Sequence, residues 1–263
     1  MRTSYLGTCV IASLVVGGVW SGVMAQGGAA QQPPPARVML IFTQVKLGMG
    51  ADYRKLQQAE VVPALKKAGL PWRWVYASGP LSGGGGTFVS AQPIANFAQF
   101  DGGQSPLQRG LGAGFAQYAA KVQPMVVSQR QVVQTLVQDA SLQSFSSTPP
   151  PLIRVTDFVL VPGKGGDFAT LTREQYLPAA KKAGVTDYLV FVTNYGGLIN
   201  SRSTVEYLSK FADLDAGNPV ARAMGPEAFQ KFNQQRAALI TSNESAVFSF
   251  VPEASYGAPA PPK

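Results

Sequence analysis

Short apolar runs separated by glycine- and proline-containing turns recur along the chain from residue 37 to residue 254. The runs "RVMLIFTQV" (37–45) and "IRVTDFVLV" (153–161) have the length and the β-branched content of strands, and a glycine-containing turn follows each. A helix is expected to begin near Ala51 and again near Asp167, because an acidic side chain then lies in the first turn. The pattern predicts a strand followed by a helix in two places.

Each of these helices runs into a similar proline-containing motif, "PALKKAGL" at 63–70 and "PAAKKAGV" at 178–185. Proline cannot donate a backbone hydrogen bond within a helix, so we expect the helices to end at about Val62 and Leu177. Pro63 then opens a fresh turn, with lysines in its last residues and Gly69 just after it. The motif indicates a helix terminator that directs the chain into the next strand, rather than a catalytic lysine pair.

The remaining pattern also occurs twice. Serine or asparagine followed by proline, at 105–106 and at 218–219, is a typical helix start, and it predicts the second part of a two-part helix. The other predicted strands are "WRWVYAS" (72–78), "TFVSA" (87–91), "QVVQTLVQ" (131–138), "YLVFVT" (188–193), "LINSR" (198–202) and "SAVFSFV" (245–251).

These matches indicate an internal duplication, because motifs pair at offsets of about 113 to 115 residues over most of both copies. Each copy reads strand, helix, strand, strand, helix, strand, which predicts an α+β chain of two tandem ferredoxin-like βαββαβ domains. Most strands are apolar on both faces, so helices cover one face of each antiparallel sheet and the other copy covers the second. We therefore expect an intramolecular pseudo-dimeric α/β barrel. The expected boundaries are domain 1 at 37–140, a linker at 141–151, domain 2 at 152–254, and disordered segments at 26–36 and 255–263.

The repeated motifs resemble those of NIPSNAP-like domains in the dimeric α/β-barrel superfamily. The residues that carry this resemblance are "VPGKGGDF" (161–168), "LPAAKKAG" (177–184) and "VPALKKAG" (62–69). They cover structural turns, and the resemblance extends over nearly all of both copies. It implies a pseudo-dimer within one chain and small-molecule pockets between a sheet and its helices. Members of this superfamily include cofactor-independent monooxygenases, haem-handling proteins, dechlorinating or decarboxylating enzymes and proteins with no known activity.

The first 25 residues have the pattern of a secretory signal peptide. Arg2 precedes an apolar run from Leu6 to Trp20, and Val23-Met24-Ala25 forms a small-x-small cleavage site. The apolar run is short for a membrane span, which needs about 20 residues. We expect export to the periplasm or the outside of the cell, with no membrane contact after cleavage. The single cysteine, Cys9, lies in this segment, so the mature chain is expected to fold without a disulfide.

Composition excludes several classes of function. The sequence contains no histidine, which removes Ser-His-Asp and Cys-His nucleophile systems, histidine-ligated zinc and iron, and histidine-ligated haem. The formal net charge is +8, but the basic residues are scattered and form no strip of the kind that follows a nucleic-acid backbone. We expect neither a cofactor nor a nucleic-acid partner.

An alternating aromatic pattern is the first candidate for a ligand site. Trp72, Trp74 and Tyr76 share one face of a predicted strand, and Arg73 points to the opposite face. The aromatic face forms either part of the core or a wall for an apolar or ring-containing ligand. Arg73 either binds a carboxylate or extends its charged end to water at the end of the strand.

Charged residues that recur in both copies are the second set of candidates. Asp101 with Arg109, and Asp215 with Arg222, flank glycines and prolines, where they either tie down a loop or mark two equivalent sites. Glu60 and Glu174 lie on the first helix of each copy. They act as acids or bases if they are buried, but a solvated helix face is the simpler interpretation.

We expect an exported, cofactor-free binding or accessory protein that holds a small apolar or aromatic molecule in one half. The alternatives are a histidine-free monooxygenase- or isomerase-like enzyme and a purely structural module. A buried arginine or glutamate beside an open cavity favours an enzyme, a cavity lined only by aromatics favours binding, and a filled interior favours a structural role. Because duplication supplies the usual dimer partner internally, we expect a monomer.

Overall fold

The computed structural model describes residues 36–82, 85–142 and 146–259. The predicted signal peptide and all but the last residue of the predicted linker at 26–36 lie outside these ranges. Within them, no helix combines the length and the hydrophobicity needed to cross a bilayer.

In the described part of the chain, eight antiparallel strands form a closed barrel in the order β1-β3-β2-β8-β5-β7-β6-β4. The strands are β1 (Arg37–Val45), β2 (Trp74–Ser78), β3 (Thr87–Ile94), β4 (Val126–Leu136), β5 (Leu152–Leu160), β6 (Tyr188–Tyr195), β7 (Ser201–Leu208) and β8 (Ile240–Phe250).

Two ferredoxin-like sheets can be recognised within this barrel. The first half of the chain contributes the order β4-β1-β3-β2 and the second half contributes β8-β5-β7-β6. The edge strands of the two sheets pair with each other, through Tyr76 with Phe250 and through Leu136 with Phe191. The predicted pseudo-dimeric α/β barrel is confirmed, and this edge pairing is what closes it.

The helices also repeat. They are α1 (Gly50–Leu56), α2 (Val62–Lys67), α3 (Pro106–Leu111), α4 (Phe115–Val122), α5 (Gly165–Leu171), α6 (Leu177–Lys182), α7 (Pro219–Met224) and α8 (Pro226–Ala237). Short 3₁₀ segments occupy Phe97–Phe100, Gly112–Gly114, Gln138–Ala140, Phe211–Leu214 and Pro252–Ala254. Ser105 and Asn218 cap α3 and α7 with their side chains, as the serine-proline and asparagine-proline pairs predict.

The prediction that the first helix of each half ends before the proline is wrong. A π-helical segment, Gln57–Val61 or Thr172–Tyr176, connects α1 to α2 and α5 to α6. In it, the N–H of Val62 bonds to the carbonyl of Gln57, and Leu177 bonds in the same way to Thr172. The extra residue shifts the hydrogen-bond pattern just before the proline, which lacks an N–H, so the helix continues through it. Gly69 follows the helix with a φ of 78°, as predicted.

Other boundaries differ at positions where the sequence pattern is weak. In the second half, the third strand, β7, begins at Ser201 rather than 198. The last strand of each half, β4 or β8, begins about five residues earlier than predicted. Most of those early residues are exposed, and 128–130 and 241–244 are polar, so no alternation of apolar residues marks the start of either strand. The predicted disordered segment at 255–263 is ordered at its start, because Tyr256 exchanges two backbone hydrogen bonds with Arg73, at 2.8 Å each.

Side chains alternate between the barrel interior and the helix-covered outer face. Along β1, Val38, Leu40 and Phe42 point inward, whereas Met39 and Ile41 face the helices. Helix α3 lies so close to α2 that a Cβ on Gly110 would be 1.9 Å from the carbonyl oxygen of Ala64. This contact brings the helices of the first half over the outer face of its sheet.

Candidate functional site

A cavity of about 470 Å³ lies between the outer face of the first-half sheet and helices α1 to α4. We call it the polar cavity. Its apolar lining includes Met39, Ile41 and Phe115, and the exposed glutamines Gln129 and Gln131 lie on its rim. Further polar groups come from Thr43, Tyr53, Gln57, Arg73, Ser90, Gln92, Ser105, Gln108, Tyr118 and Gln123.

Arg73 is the only charged residue among the described residues that line the polar cavity. It is 5% exposed. Its Nη1 donates to the carbonyl of Ala254 at 2.9 Å, and its Nη2 donates to Oε1 of Gln57 at 2.7 Å. Within the described part of the chain no carboxylate forms an ion pair with it.

Gln57 holds the guanidinium from the helix side. It is the first residue of the π-helical segment before Pro63 and is 2% exposed. Its Nε2 donates to the hydroxyl of Tyr118 at 3.4 Å, so one side chain links the π-helical segment to α4 and to Arg73, the residue just before β2. The residue at the same place in the second half, Thr172, bonds instead to the carbonyl of Phe168. The second half therefore has no glutamine at this position to accept a hydrogen bond from an arginine.

The titratable groups that act on the charge of Arg73 are tyrosine hydroxyls, those of Tyr53, Tyr118 and Tyr256. Burial raises the pKa of Tyr53, and it raises the pKa of Tyr118 to about 12 and that of Tyr256 to about 12, while the charge of Arg73 acts in the opposite direction. Burial lowers the pKa of Arg73, yet a guanidinium stays protonated in proteins. At neutral pH these hydroxyls are uncharged. They can take part in hydrogen bonds, but they do not act as counter-ions for the guanidinium of Arg73.

A second polar group in the lining is unsatisfied. Gln92 is 4% exposed, and its Oε1 is buried without a hydrogen-bond partner in the described protein. Buried polar atoms are nearly always paired, with protein or with ordered water. A donor on a ligand or a water molecule in the polar cavity is one way to satisfy it.

The corresponding cleft in the second half is arranged differently. It measures about 180 Å³ and is lined by Arg154, Glu206 and Arg236, among others. Arg154 and Glu206 form an ion pair there. The position that matches Arg73 in the repeat is Tyr188, which is buried. The second half therefore pairs a cleft arginine with a carboxylate, whereas the first half leaves Arg73 without one.

The aromatic candidates lie elsewhere. Trp72, Trp74 and Tyr76 point into the barrel interior and line a separate cavity of about 250 Å³. They share one face, as the alternation predicts, and Arg73 lies on the other face. The structure thus separates the aromatic residues and the arginine into two cavities.

The recurring charged residues line neither cavity. Arg109 donates to the carbonyls of Gln99 and Gln104, at 2.8 and 2.7 Å, and Arg222 donates to the carbonyl of Ala216. These are loop-fixing contacts. Asp101 and Asp215 are both exposed and follow the 3₁₀ segments directly. Glu60 pairs with Lys121 at 2.6 Å, and exposed Glu174 lies 3.8 Å from Arg173.

Several residues of the polar cavity were not singled out from the sequence, namely Tyr53, Gln57, Gln92 and Tyr118. Glutamine and tyrosine carry no sequence signal of burial near a charge. These four are brought together only when α1, the π-helical segment after it and α4 pack on β3. In the described ranges no group of three or more acidic, histidine or cysteine side chains is arranged to hold a metal ion.

Comparison with known proteins shows similarity of fold. No protein-family model matches the chain, and no curated protein matches it. An anthrone oxidase-like protein of known structure matches with a TM-score of 0.58 and 10% identity, over 82% of this chain and 92% of that one. A candidate monooxygenase from Lactobacillus acidophilus matches with a TM-score of 0.53 and 8% identity, over 85% of this chain and 96% of that one.

NIPSNAP structures are also among the matches, as the motifs suggested. A NIPSNAP family protein from Agrobacterium tumefaciens matches with 19% identity and a TM-score of 0.31, over 36% of this chain and 89% of that one. The matches with TM-scores above 0.5 show a shared fold, which in this chain is an α/β barrel with both halves supplied by one polypeptide.

Proposed function

We propose that the protein binds a small ring-containing or largely apolar molecule that carries an anionic oxygen, such as a carboxylate or an enolate, in the polar cavity. The observation that carries this proposal is the buried guanidinium of Arg73, the only charge among the described residues of the lining. A buried charge without a counter-ion is costly, and a ligand anion lowers that cost through charge-assisted hydrogen bonds. The apolar lining from Met39, Ile41 and Phe115 suits the body of such a ligand.

The lining favours binding over acid–base catalysis. General acid–base catalysis works best with a group whose pKa lies near the working pH. The described lining holds no carboxylate, and burial raises the pKa values of Tyr53 and Tyr118 above the ordinary tyrosine value. These hydroxyls therefore remain donors at neutral pH. They fix the orientation of a ligand and do not remove a proton from it.

A calorimetric comparison of benzoate with benzamide tests the proposal, because the two probes differ mainly in charge. Arg73→Gln removes the cation and keeps a hydrogen-bonding side chain. Hydrogen bonds to charged groups contribute about 1.5–3 kcal/mol, so we expect benzoate to bind roughly 10- to 100-fold more weakly to the variant. Benzamide should change less than about threefold. Equal losses for both probes, or no benzoate binding to the wild-type protein, would refute the proposal.

A second candidate function is turnover of such a bound anion. The observation in its favour is the buried arginine beside an open cavity, which stabilises an enolate once it forms. Anthrone is a suitable substrate probe, and oxygen uptake is the readout. Uptake that depends on the protein and is lost in Arg73→Gln would establish an enzyme. Anthrone binding without oxygen uptake would support the binding function only.

We also propose that the protein is exported. The support is the Arg2, apolar run and Val23-Met24-Ala25 pattern of the sequence. Intact-mass analysis of the protein from its own host should give a chain that begins at Gln26 in the extracytoplasmic fraction. A chain that still carries residues 1–25, recovered from the cytoplasm, would contradict this.

A further inference from the structure

The interior of the barrel contains a second cavity, of about 250 Å³, that is separate from the polar cavity. We call it the interior cavity. Inward-facing side chains of both halves form its wall, for example Leu40 and Val89 from the first half and Val155 and Val205 from the second. For comparison, an apolar engineered cavity of about 150 Å³ stays dry and binds benzene.

Apolar surface inside the closed barrel is left uncovered. Leu40, Phe42, Val155, Val205 and Phe248 all point inward, yet each is only half-buried. Inward side chains of an eight-stranded barrel either fill its interior or leave room for one small ligand. The accessible surface that these residues keep is the wall of the interior cavity, and an apolar ligand that covers it removes apolar surface from water, which is favourable.

One side of this wall is an aromatic surface held in place by its neighbours. The rings of Trp72 and Trp74 lie 5.6 Å apart, and those of Tyr76 and Phe250 lie 5.5 Å apart. Nε1 of Trp74 donates to the carbonyl of Gly257 at 3.0 Å, which fixes that ring. The hydroxyl of Tyr76 is buried without a hydrogen-bond partner in the described protein. Tilted ring contacts of this kind suit a flat ligand, because aromatic pairs favour offset and edge-on geometry.

Polar side chains occupy one end of the interior cavity. Arg130, Asp157 and Glu244 line it and are exposed, so the cavity opens there. Two carboxylates and one guanidinium give this opening a net negative charge. The guanidinium of Arg130 already lies 4.1 Å from the centre of the ring of Phe42. An anion is therefore disfavoured at this opening, in contrast to the polar cavity.

From these observations we propose that the interior cavity is a second ligand site, which takes an uncharged molecule of one or two aromatic rings. The site needs both halves, because the aromatic wall comes from β2 while the opposite wall includes strands of the second half. Among the described residues the two cavities share no lining residue, and their ligands differ in charge, so each site can be tested with its own probe.

Titration with 2-naphthol, which is uncharged at pH 7, tests this site by calorimetry and by quenching of tryptophan fluorescence. Ala246 lines the interior cavity and is half-buried. We expect Ala246→Phe to fill the space and weaken 2-naphthol binding at least 10-fold, while benzoate binding is unchanged. The matched control is Ala228→Phe, the same substitution at an exposed position of α8, which should bind both probes normally. Arg73→Gln should keep 2-naphthol binding.

Three outcomes would overturn the proposal: no binding of 2-naphthol at millimolar concentration, full binding to Ala246→Phe, or a loss of binding in Arg73→Gln. If Ala246→Phe does not fold, as judged by circular dichroism, intermolecular NOEs in the wild-type protein decide the matter. Contacts from the probe to the methyl groups of Val155 and Val205 support the site. Contacts confined to other methyl groups refute it.

Discussion

Replacement of Gln57 tests whether Arg73 is a buried charge without a counter-ion. Oε1 of Gln57 accepts a hydrogen bond from Nη2 of Arg73 at 2.7 Å. Gln57→Glu keeps the size of the side chain and places a carboxylate there, as Glu206 is placed beside Arg154 in the second half. Gln57→Leu has a similar volume and removes the acceptor. The two variants give Arg73 either a charged partner or no polar partner, with little change in packing, so together they measure how electrostatics at Arg73 affect stability.

The expected energies follow from the geometry. Two unit charges about 4 Å apart attract by about 4 kcal/mol at an effective dielectric constant of about 20. Burial of the new carboxylate costs several kcal/mol, whereas Arg73 is already buried in the wild-type protein. These terms nearly cancel, so we expect the free energy of unfolding of Gln57→Glu to lie within about 1 kcal/mol of the wild-type value. Gln57→Leu deprives a charged donor of its acceptor and should lower the free energy of unfolding by about 2 kcal/mol.

Urea denaturation monitored by circular dichroism measures both free energies, and calorimetry with benzoate measures the effect on binding. We expect Gln57→Glu to bind benzoate as weakly as Arg73→Gln does, because an internal carboxylate then neutralises the charge of Arg73. Equal destabilisation by Gln57→Glu and Gln57→Leu would refute the assignment of an uncompensated charge. Wild-type benzoate affinity in Gln57→Glu would refute it as well.

Three further outcomes are expected. Gly110→Ala should lower the free energy of unfolding by about 1–3 kcal/mol in urea, since its Cβ would meet the carbonyl oxygen of Ala64 at 1.9 Å; an unchanged midpoint would contradict the close packing of α3 on α2. Burial raises the pKa values of Tyr118 and Tyr207 to about 12, so the folded state holds protons that the unfolded state releases above about pH 10. Stability should be complete below that pH and fall as pH rises towards 12, and a flat urea midpoint across this range would count against burial of these hydroxyls. Sedimentation equilibrium should give a monomer, and a clear dimer mass would show that internal duplication does not replace the usual partner.

Periodicity and repetition were sufficient to predict the main elements of the fold. The first strand, at 37–45, agrees with β1 residue for residue, because a long apolar run bounded by turn residues leaves little choice of limits. Trp72, Trp74 and Tyr76 share a face because side chains alternate along a strand. The predicted helix end at Pro63 is wrong, because a proline normally ends a helix and nothing in the local sequence indicates a π-helical segment.

The candidate site was less accessible to sequence reasoning. Arg73 could be placed on the face opposite the tryptophans, but its burial depends on the C-terminal segment, whose Ala254 and Tyr256 are more than 180 residues away. The lack of a carboxylate partner is a property of the packed structure. Pairing of β2 with β8 and of β4 with β6 likewise joins distant segments, and no local pattern encodes which sheet edges meet.

The most direct measurement is a crystal structure of the protein soaked with 4-bromobenzoate, in which the anomalous signal of bromine locates the probe without bias. We expect the bromine in the polar cavity and the carboxylate within hydrogen-bond distance of the guanidinium of Arg73. Bromine only in the interior cavity or only at the surface, with no probe beside Arg73, would contradict the central claim.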